Sequence, residues 1–320
     1  MPADERKLEE LEAAAAVVYE AMAPTGQQRW PLLDARCGTG VWVKHENQTP
    51  VGAFKVRGGL VYLRHLQQQT PRATGVVAAT RGNHGQSMAF AARRYELPCA
   101  VVVPHGNSES KNRAMRALGA ELIEEGRDFQ DALDAARGIA AARGWHLVPS
   151  FDERLVRGVA TWALELFRAA PDIATLYVPI GLGSGICGAI EARDALGLPA
   201  SIVAVVAASA PAYARSLAQG VLVSHEVTTA IADGMACRTP VAGALDRIRD
   251  GAARVIEVTD EEIEEAMRAI FDDTHNVAEG AGAAGLAALM KDSERAAGSA
   301  AFVLSGGNVD AAVFARVLRR

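Results

Sequence analysis

The chain has 320 residues, 50% of them hydrophobic and 22% charged, a balance typical of a globular protein long enough for two domains. Its net charge of −5, with lysines and arginines scattered along the chain, gives no basic surface for nucleic acid. The nearly uncharged stretch at residues 180–190 is rich in glycine and too short to cross a bilayer. We therefore expect neither a nucleic-acid nor a membrane partner.

The N-terminal stretch predicts an amphipathic helix, because Leu8, Leu11, Val17 and Val18 recur at helical spacing behind several acidic residues. It lacks the basic start and apolar core of a signal peptide. The four cysteines are far apart and form no C-x-x-C pair, so they resemble small buried hydrophobic residues in a reducing compartment. We expect a cytoplasmic protein.

Lys55 lies where an extended segment, residues 41–46, gives way to a helix predicted to start near Phe54. A lysine amine whose surroundings disfavour the ammonium form is a nucleophile that condenses with an aldehyde. Most lysines are solvated, however, so this segment alone favours an ordinary surface residue. The catalytic interpretation depends on the rest of the chain.

From residue 75 onward, short apolar strands alternate with helical patterns. Strands are predicted at 75–79, 99–103, 121–124, 175–179, 201–206 and 301–304, and helices at 85–95, 110–118, 128–143, 185–196, 211–217 and 309–318. This alternation indicates an α/β fold of parallel sheets covered by helices on both faces. The units between 74 and 146 predict a small domain inserted into a large one, residues 1–73 and 147–320.

The first polar loop, Thr80-Arg-Gly-Asn-His-Gly-Gln86, joins a predicted strand to a predicted helix. Glycines on both sides of Asn83 and His84 let the backbone approach a ligand, and the helix N-terminus offers free N–H groups to an anion. A plain strand–helix turn capped by the asparagine explains the same pattern.

A second loop, G-L-G-S-G at residues 181–185, also follows a strand and opens a helix. Alternate glycines and a serine there predict a phosphate cradle of backbone N–H groups and one hydroxyl. The loop lacks both the G-x-G-x-x-G spacing and the lysine of a P-loop. A phosphate monoester is therefore favoured over a nucleotide, although some glycine-rich turns bind nothing. A third polar turn follows the last strand, and its Ser305 either presents a hydroxyl to a pocket or caps a helix.

Together these motifs resemble the fold-type II family of pyridoxal-phosphate enzymes, specifically its threonine/serine dehydratase and serine racemase branch. The resemblance covers nearly the whole chain in the right order. Further matching motifs are Lys44-His-Glu-Asn47, Ser108-x-x-Lys111-x-x-x-Met115, Thr229-Ala-Ile-Ala-Asp-Gly234 and Glu279-Gly-Ala-Gly-Ala283. It implies a fold like that of the tryptophan synthase β subunit, pyridoxal 5'-phosphate as cofactor, and a homodimer.

The resemblance also implies a role for each site residue. Lys55 would hold the cofactor aldehyde and remove the substrate α-proton, Asn83 would bind the ring hydroxyl, and Ser305 would face the pyridine nitrogen. The phosphate would be wrapped by Gly181, Leu182, Gly183, Ser184 and Gly185. The substrate carboxylate would be gripped by the loop that contains Thr80, Asn83 and His84.

A neutral Ser305 leaves the ring a shallower electron sink than a carboxylate would, which suits β-elimination better than transamination. The resemblance therefore implies an ammonia-lyase that converts a β-hydroxy amino acid of the threonine or serine type to a 2-oxo acid and ammonia. A hydroxyaspartate, phenylserine or hydroxyectoine-derived substrate is an alternative. An amino-acid racemase, a β-replacement synthase and a cofactor-binding sensor also stay open.

Two departures from the family pattern matter. Arg81 stands where dehydratases and racemases often carry a small residue, and the missing serine weakens the racemase interpretation. The arginine either recognises a second substrate carboxylate through a bidentate pair, or points away and pairs with an acid across the cleft. The segment 205–212, where several relatives bind a divalent cation, contains no acidic residue, so we predict no metal there.

Overall fold

A computed structural model of the chain describes residues 4–292 and 298–319. The predicted large domain also includes residues 1–3, 293–297 and 320, which lie outside the described residues. The helices are α1 (Glu5–Tyr19), α2 (Pro31–Cys37), α3 (Lys55–Gln67), α4 (Asn83–Arg94), α5 (Glu109–Ala117), α6 (Phe129–Arg143), α7 (Glu153–Ala169), α8 (Ser184–Ala195), α9 (Ala212–Gln219), α10 (Ala242–Gly251), α11 (Asp260–Thr274), α12 (Gly280–Lys291) and α13 (Ala311–Leu318). None of these helices is long and apolar enough to span a membrane.

The strands form two separate sheets. They are β1 (Gln27–Arg29), β2 (Val41–His45), β3 (Val76–Ala79), β4 (Cys99–Val103), β5 (Glu121–Glu124), β6 (His146–Leu147), β7 (Thr175–Pro179), β8 (Ser201–Ala207), β9 (Arg254–Val258) and β10 (Ala300–Leu304). The larger sheet has the order β1-β2-β10-β7-β8-β9, and the smaller has β5-β4-β3-β6. All neighbouring strands are parallel except β1 and β2. The predicted α/β fold with parallel-rich sheets is confirmed.

The smaller sheet is built from residues 76–147 alone, while strands from both flanking segments form the larger one. The small inserted domain at residues 74–146 stays a prediction, and β6 ends at Leu147, one residue beyond the predicted boundary. The helix starts differ from the predicted ones by one or two residues. Helix α4 begins at Asn83, two residues early, since Gly82 rather than the asparagine precedes its first turn, and α13 begins at Ala311, two residues late.

Alternating side chains of the larger sheet enter two different cores. In β7, Leu176 and Val178 pack in the cluster that contains the inner faces of α7 and α8, whereas Tyr177 belongs to the cluster under α11 and α12. The period of two follows from strand geometry. Both faces are thus apolar, which explains why the strands have continuous hydrophobic sequences.

Helix α3 is in unusually close contact with helices on both of its sides. A Cβ on Gly58 would lie 2.7 Å from the carbonyl oxygen of Leu155 in α7, and one on Gly158 would collide with the carbonyl oxygen of Arg57. On its other side, a Cβ on Gly59 would collide with the hydroxyl of Ser87 in α4. Glycines therefore let α3 approach the backbone of α7 and the Ser87 side chain of α4 closely.

A buried ion-pair network fixes the start of α3 to the larger sheet. Arg57 pairs with Glu46 at 2.7 Å and with Glu165 at 2.6 Å, and Lys44 pairs with Glu165 at 2.5 Å. Both cations are fully buried. Two positive and two negative charges therefore compensate one another inside the protein, as buried charges must.

Candidate active site

A cavity of about 160 Å³ opens between the two sheets, beyond the carboxyl ends of their strands. Ligands of open parallel sheets bind at this edge. The structure brings all eleven site residues predicted from the sequence to its wall: Lys55, Thr80, Arg81, Asn83, His84, Gly181, Leu182, Gly183, Ser184, Gly185 and Ser305. The role of each one stays a prediction.

Lys55 is the first residue of α3, and its amine lies inside the cavity. Its Nζ donates a hydrogen bond to Oγ of Ser184 at 2.8 Å and lies 5.1 Å from the centre of the Phe54 ring. Desolvation lowers the pKa of Lys55 to about 8. The residue is therefore not the solvated surface lysine that its own segment favours, and much of its amine is neutral at mildly alkaline pH.

The glycine loop at residues 181–185 lies opposite Lys55, between β7 and α8. Gly183 has φ of +104°, and a Cβ there would lie 2.7 Å from the Cβ of Ala244, while a Cβ on Gly181 would collide with the carbonyl oxygen of Gly234. Helix α8 begins at Ser184, so its first N–H groups have no acceptor within the helix and none among the other described residues. Free N–H groups at a helix N-terminus form an anion site.

Tyr213 holds this loop from behind. Its hydroxyl donates to the carbonyl oxygen of Leu182 at 2.9 Å and accepts from the N–H of Val241 at 3.2 Å. Burial raises the pKa of Tyr213 well above its usual value, so the hydroxyl keeps its proton. A neutral phenol thus fixes the loop without adding negative charge beside the anion site.

His84 is the second residue of α4, on the opposite wall. It is buried, and its Nε2 has no partner among the described residues. Desolvation, with a smaller contribution from the charge of Lys55, lowers the pKa of His84 to about 3. The imidazole is therefore neutral and leaves one nitrogen available to a ligand.

Arg81 is exposed at the mouth of the cavity, which it helps to line. No hydrogen bond or ion pair of its guanidinium is found within residues 4–292 and 298–319. The ion pair with an acid across the cleft that the alternative interpretation requires is thus not found in the described part of the chain. An unpaired guanidinium at the cavity mouth is free to bind an anionic ligand.

Ser305 follows β10 and is buried at the cavity wall. Its hydroxyl donates only a long bond, 3.3 Å, to the carbonyl oxygen of Ala281 in α12. It does not cap a helix, since Asp310 precedes α13. The residue thus offers the cavity a neutral group.

Sequence reasoning assigned no role to Lys111, Asp233 and Glu279, although each lies in a motif that carries the family resemblance. In the structure, Asp233 and Glu279 line the cavity and Lys111 pairs with both. The only sequence signal was their place in those motifs, because their partners are far away along the chain.

These residues fit the cofactor that the resemblance implies. The glycine loop, with the free N–H groups at the start of α8, suits a phosphate monoester, and the desolvated amine of Lys55 suits an aldehyde. Among the described residues no group of three or more His, Cys, Asp or Glu side chains could hold a metal ion. The predicted absence of a metal requirement is left to experiment.

Comparisons with known proteins agree with this site. A family model described as pyridoxal-phosphate dependent enzyme matches residues 18–306. The chain is 37% identical over 287 residues to L-threonine ammonia-lyase of Geobacter sulfurreducens, covering 89% of this chain and 71% of the relative. It is 31% identical over 289 residues to L-threo-3-hydroxyaspartate ammonia-lyase of a Pseudomonas species, covering 90% of each. The solved structure of maize serine racemase superposes with a TM-score of 0.91 at 26% identity, covering 100% of this chain and 98% of that one.

Proposed function

The chain belongs to the pyridoxal-phosphate-dependent enzyme family, and we propose that it is an ammonia-lyase for a β-hydroxy amino acid of the threonine or serine type. The products are a 2-oxo acid and ammonia. The proposal rests on one observation: the amine of Lys55 contacts Ser184 of the glycine loop, in a cavity that a neutral Ser305 also lines. Relatives named ammonia-lyase at 31–37% identity support the same reaction class.

Lys55 and the glycine loop would hold the cofactor. Once joined through its aldehyde to the substrate amine, pyridoxal phosphate would withdraw electrons from the substrate α-carbon and make the proton there acidic. Lys55, once the substrate amine has displaced it, is the base that takes this proton, because its lowered pKa leaves a neutral amine inside the cavity. The hydroxyl of Ser184, at 2.8 Å from Nζ, can relay a proton to or from that amine.

Other residues orient the substrate and keep the site neutral. The loop of Thr80, Asn83 and His84 forms the wall where the substrate carboxylate would lie, and Oγ1 of Thr80 already accepts from the N–H of Gly82 at 2.9 Å. Ser305 supplies no charge at the position that the resemblance gives to the ring nitrogen. A neutral partner favours release of a β-hydroxyl over a long-lived carbanion, which supports elimination rather than transamination.

One observation favours a second substrate class. The unpaired guanidinium of Arg81 at the cavity mouth suits a substrate with a further carboxylate on its β-carbon, such as a hydroxyaspartate. The same position lacks the small hydroxyl residue that a racemase would need for its second acid/base. We therefore place a racemase or a β-replacement synthase below both ammonia-lyase alternatives.

We also propose that the protein is a cytoplasmic homodimer. All four cysteines are buried free thiols, which supports a reducing compartment. The homodimer is supported by the family resemblance. Size-exclusion chromatography with light scattering would measure the oligomeric state directly.

The test of the function is 2-oxo acid and ammonia release by the holoenzyme from threonine, serine and threo-3-hydroxyaspartate, measured separately. Release from at least one of them, lost in Lys55→Ala together with the absorbance of lysine-bound cofactor, is the expected result. Conversion of an L-amino acid to its D form without 2-oxo acid would identify a racemase. A normal cofactor spectrum with no turnover of any β-hydroxy amino acid would reject the proposal in favour of a sensor.

A further inference from the structure

A buried ion pair links the two sides of the cleft at the edge of the cavity. Nζ of Lys111, in α5 beside the smaller sheet, lies 2.6 Å from Oδ2 of Asp233 and 3.3 Å from Oε2 of Glu279. Both carboxylates belong to the larger sheet's side. Lys111 and Glu279 are only 5% and 3% exposed, so the interaction is largely shielded from water.

The same Glu279 carboxylate also contacts Asn83. Nδ2 of Asn83 donates to Oε1 of Glu279 at 2.5 Å, and Oδ1 of Asn83 accepts from Nδ2 of Asn308 at 2.9 Å. The Asn308 amide is itself fixed, since its Nδ2 also donates to the carbonyl oxygen of Val51 at 2.8 Å. A charged carboxylate only accepts hydrogen bonds, so these neighbours determine which end of the Asn83 amide is nitrogen.

This orientation leaves one N–H of Asn83 unused. An amide nitrogen has two hydrogens, and Glu279 takes one, while no other acceptor for this nitrogen is found in the described part of the chain. Asn83 lines the cavity. The free N–H is therefore a donor that the site can present to an oxygen of a bound molecule.

The orientation depends on a charged Glu279, and Lys111 maintains that charge. Burial raises the pKa of Glu279, and the ammonium of Lys111 opposes the rise. Two glycines leave room for both side chains: a Cβ on Gly82 would lie 2.5 Å from Cδ of Lys111, and one on Gly306 would collide with Oε1 of Glu279. The backbone is thus shaped around this ion pair.

We propose that Lys111 and Glu279 are positioning residues that set the Asn83 amide so that its free N–H donates to the ring hydroxyl oxygen of the bound cofactor. Asn83 and Lys111 come from one side of the cleft and Glu279 from the other, so the donor is oriented only when the two sides are together. The proposal rests on the proposed function, because it requires the cofactor ring to lie beside Asn83. A donor at a ring oxygen favours its anion, and the absorbance of the ring depends on that protonation.

The test compares holoenzyme spectra of Lys111→Met and Glu279→Gln with the wild type, without substrate. We expect both variants to bind the cofactor through Lys55 yet to absorb with more of the neutral ring form, and the pH at which the spectrum changes to move by about one unit. We expect kcat to fall roughly ten- to hundredfold, with a smaller change in KM. Lys111→Arg, which keeps the charge, should restore most of the wild-type spectrum.

The matched control is Arg116→Met. Arg116 lies on the same helix, α5, but its side chain pairs with Glu124 on the surface at 2.9 Å. The spectrum and kcat of the Arg116→Met variant should therefore equal those of the wild type. Wild-type spectra in loaded Lys111→Met and Glu279→Gln would overturn the proposal, and Glu279→Gln alone decides if Lys111→Met does not fold. If the wild-type protein releases no 2-oxo acid but the spectra of the two variants still shift, the positioning role is supported and the ammonia-lyase function is rejected.

Discussion

The hydroxyl of Tyr213 donates to the carbonyl oxygen of Leu182 at 2.9 Å and so fixes the glycine loop to α9. The loop needs this support because three of its five residues are glycines, which have the most backbone freedom to lose. A preformed loop offers its N–H groups to an anion without further ordering. The shape of the loop is therefore as important as its composition.

Gly183→Ala should weaken cofactor binding. The new Cβ would strain a residue at φ of +104° and meet Ala244, and the left-handed conformation alone costs an alanine about 1–2 kcal/mol. We expect a roughly tenfold or greater rise in the cofactor Kd, measured by absorbance titration of the cofactor-free protein.

The control for that change is Gly243→Ala, in α10, where a Cβ would meet nothing within 4 Å. That substitution should leave the Kd unchanged and raise stability by about 0.5–1 kcal/mol. Equal Kd values for the two variants would show that the loop does not hold the cofactor.

The pH dependence of the rate at which the cofactor-free protein binds the cofactor should follow the pKa of Lys55. Only a neutral amine attacks an aldehyde, and because the pKa is lowered to about 8, the neutral fraction reaches half near that pH. The initial capture rate of the cofactor-free protein should therefore rise with pH and level off above about pH 9. A rate that still climbs steeply at pH 10, as for a solvated lysine, would contradict this.

Substitution of Arg81 should change which substrate the enzyme prefers, without abolishing its activity. If the guanidinium binds a β-carboxylate, Arg81→Ser lowers kcat/KM for threo-3-hydroxyaspartate roughly ten- to hundredfold and leaves that for threonine nearly unchanged. Arg81→Lys keeps the charge but loses the bidentate geometry, so its loss should be intermediate. An unaltered ratio of the two kcat/KM values in both variants would exclude substrate contact.

Arg57→Leu should strongly destabilise the fold. The change leaves Glu46 and Glu165 buried with only Lys44 to compensate them, and breaking such a network costs about 3–5 kcal/mol. Urea unfolding followed by circular dichroism would measure the loss. Arg64→Leu, which removes a partly exposed pair with Glu20, should cost less than about 1 kcal/mol.

Chelation should not affect activity. Since the segment 205–212 offers no carboxylate, we expect the same kcat with EDTA as with added Mg²⁺. Loss of activity in EDTA that Mg²⁺ restores would show that a cation is bound elsewhere.

The sequence predicted what is local in this molecule. Polar and glycine residues at strand ends, such as Lys55 and Gly183, could be identified because parallel topology brings such ends to one edge. The contact of Asn83 with Glu279 could not be predicted, since the two are 196 residues apart and meet only across the cleft. Helix α12 was also missed, because it is buried on nearly every side and shows no clear periodicity of polar residues. Helices α7, α10 and α11 were missed as well, although their sequences are amphipathic.

The glycine contacts of α3 have a mechanical consequence. Where α3 and α7 meet backbone to backbone at Gly58, no flexible side chain lies in between to absorb a displacement. On the other side, Gly59 packs against the Ser87 side chain of α4, so we expect a movement of α4 to reach the start of α3. Because Lys55 is the first residue of α3, we expect the position of its amine to depend on how α4 and α7 pack around this helix.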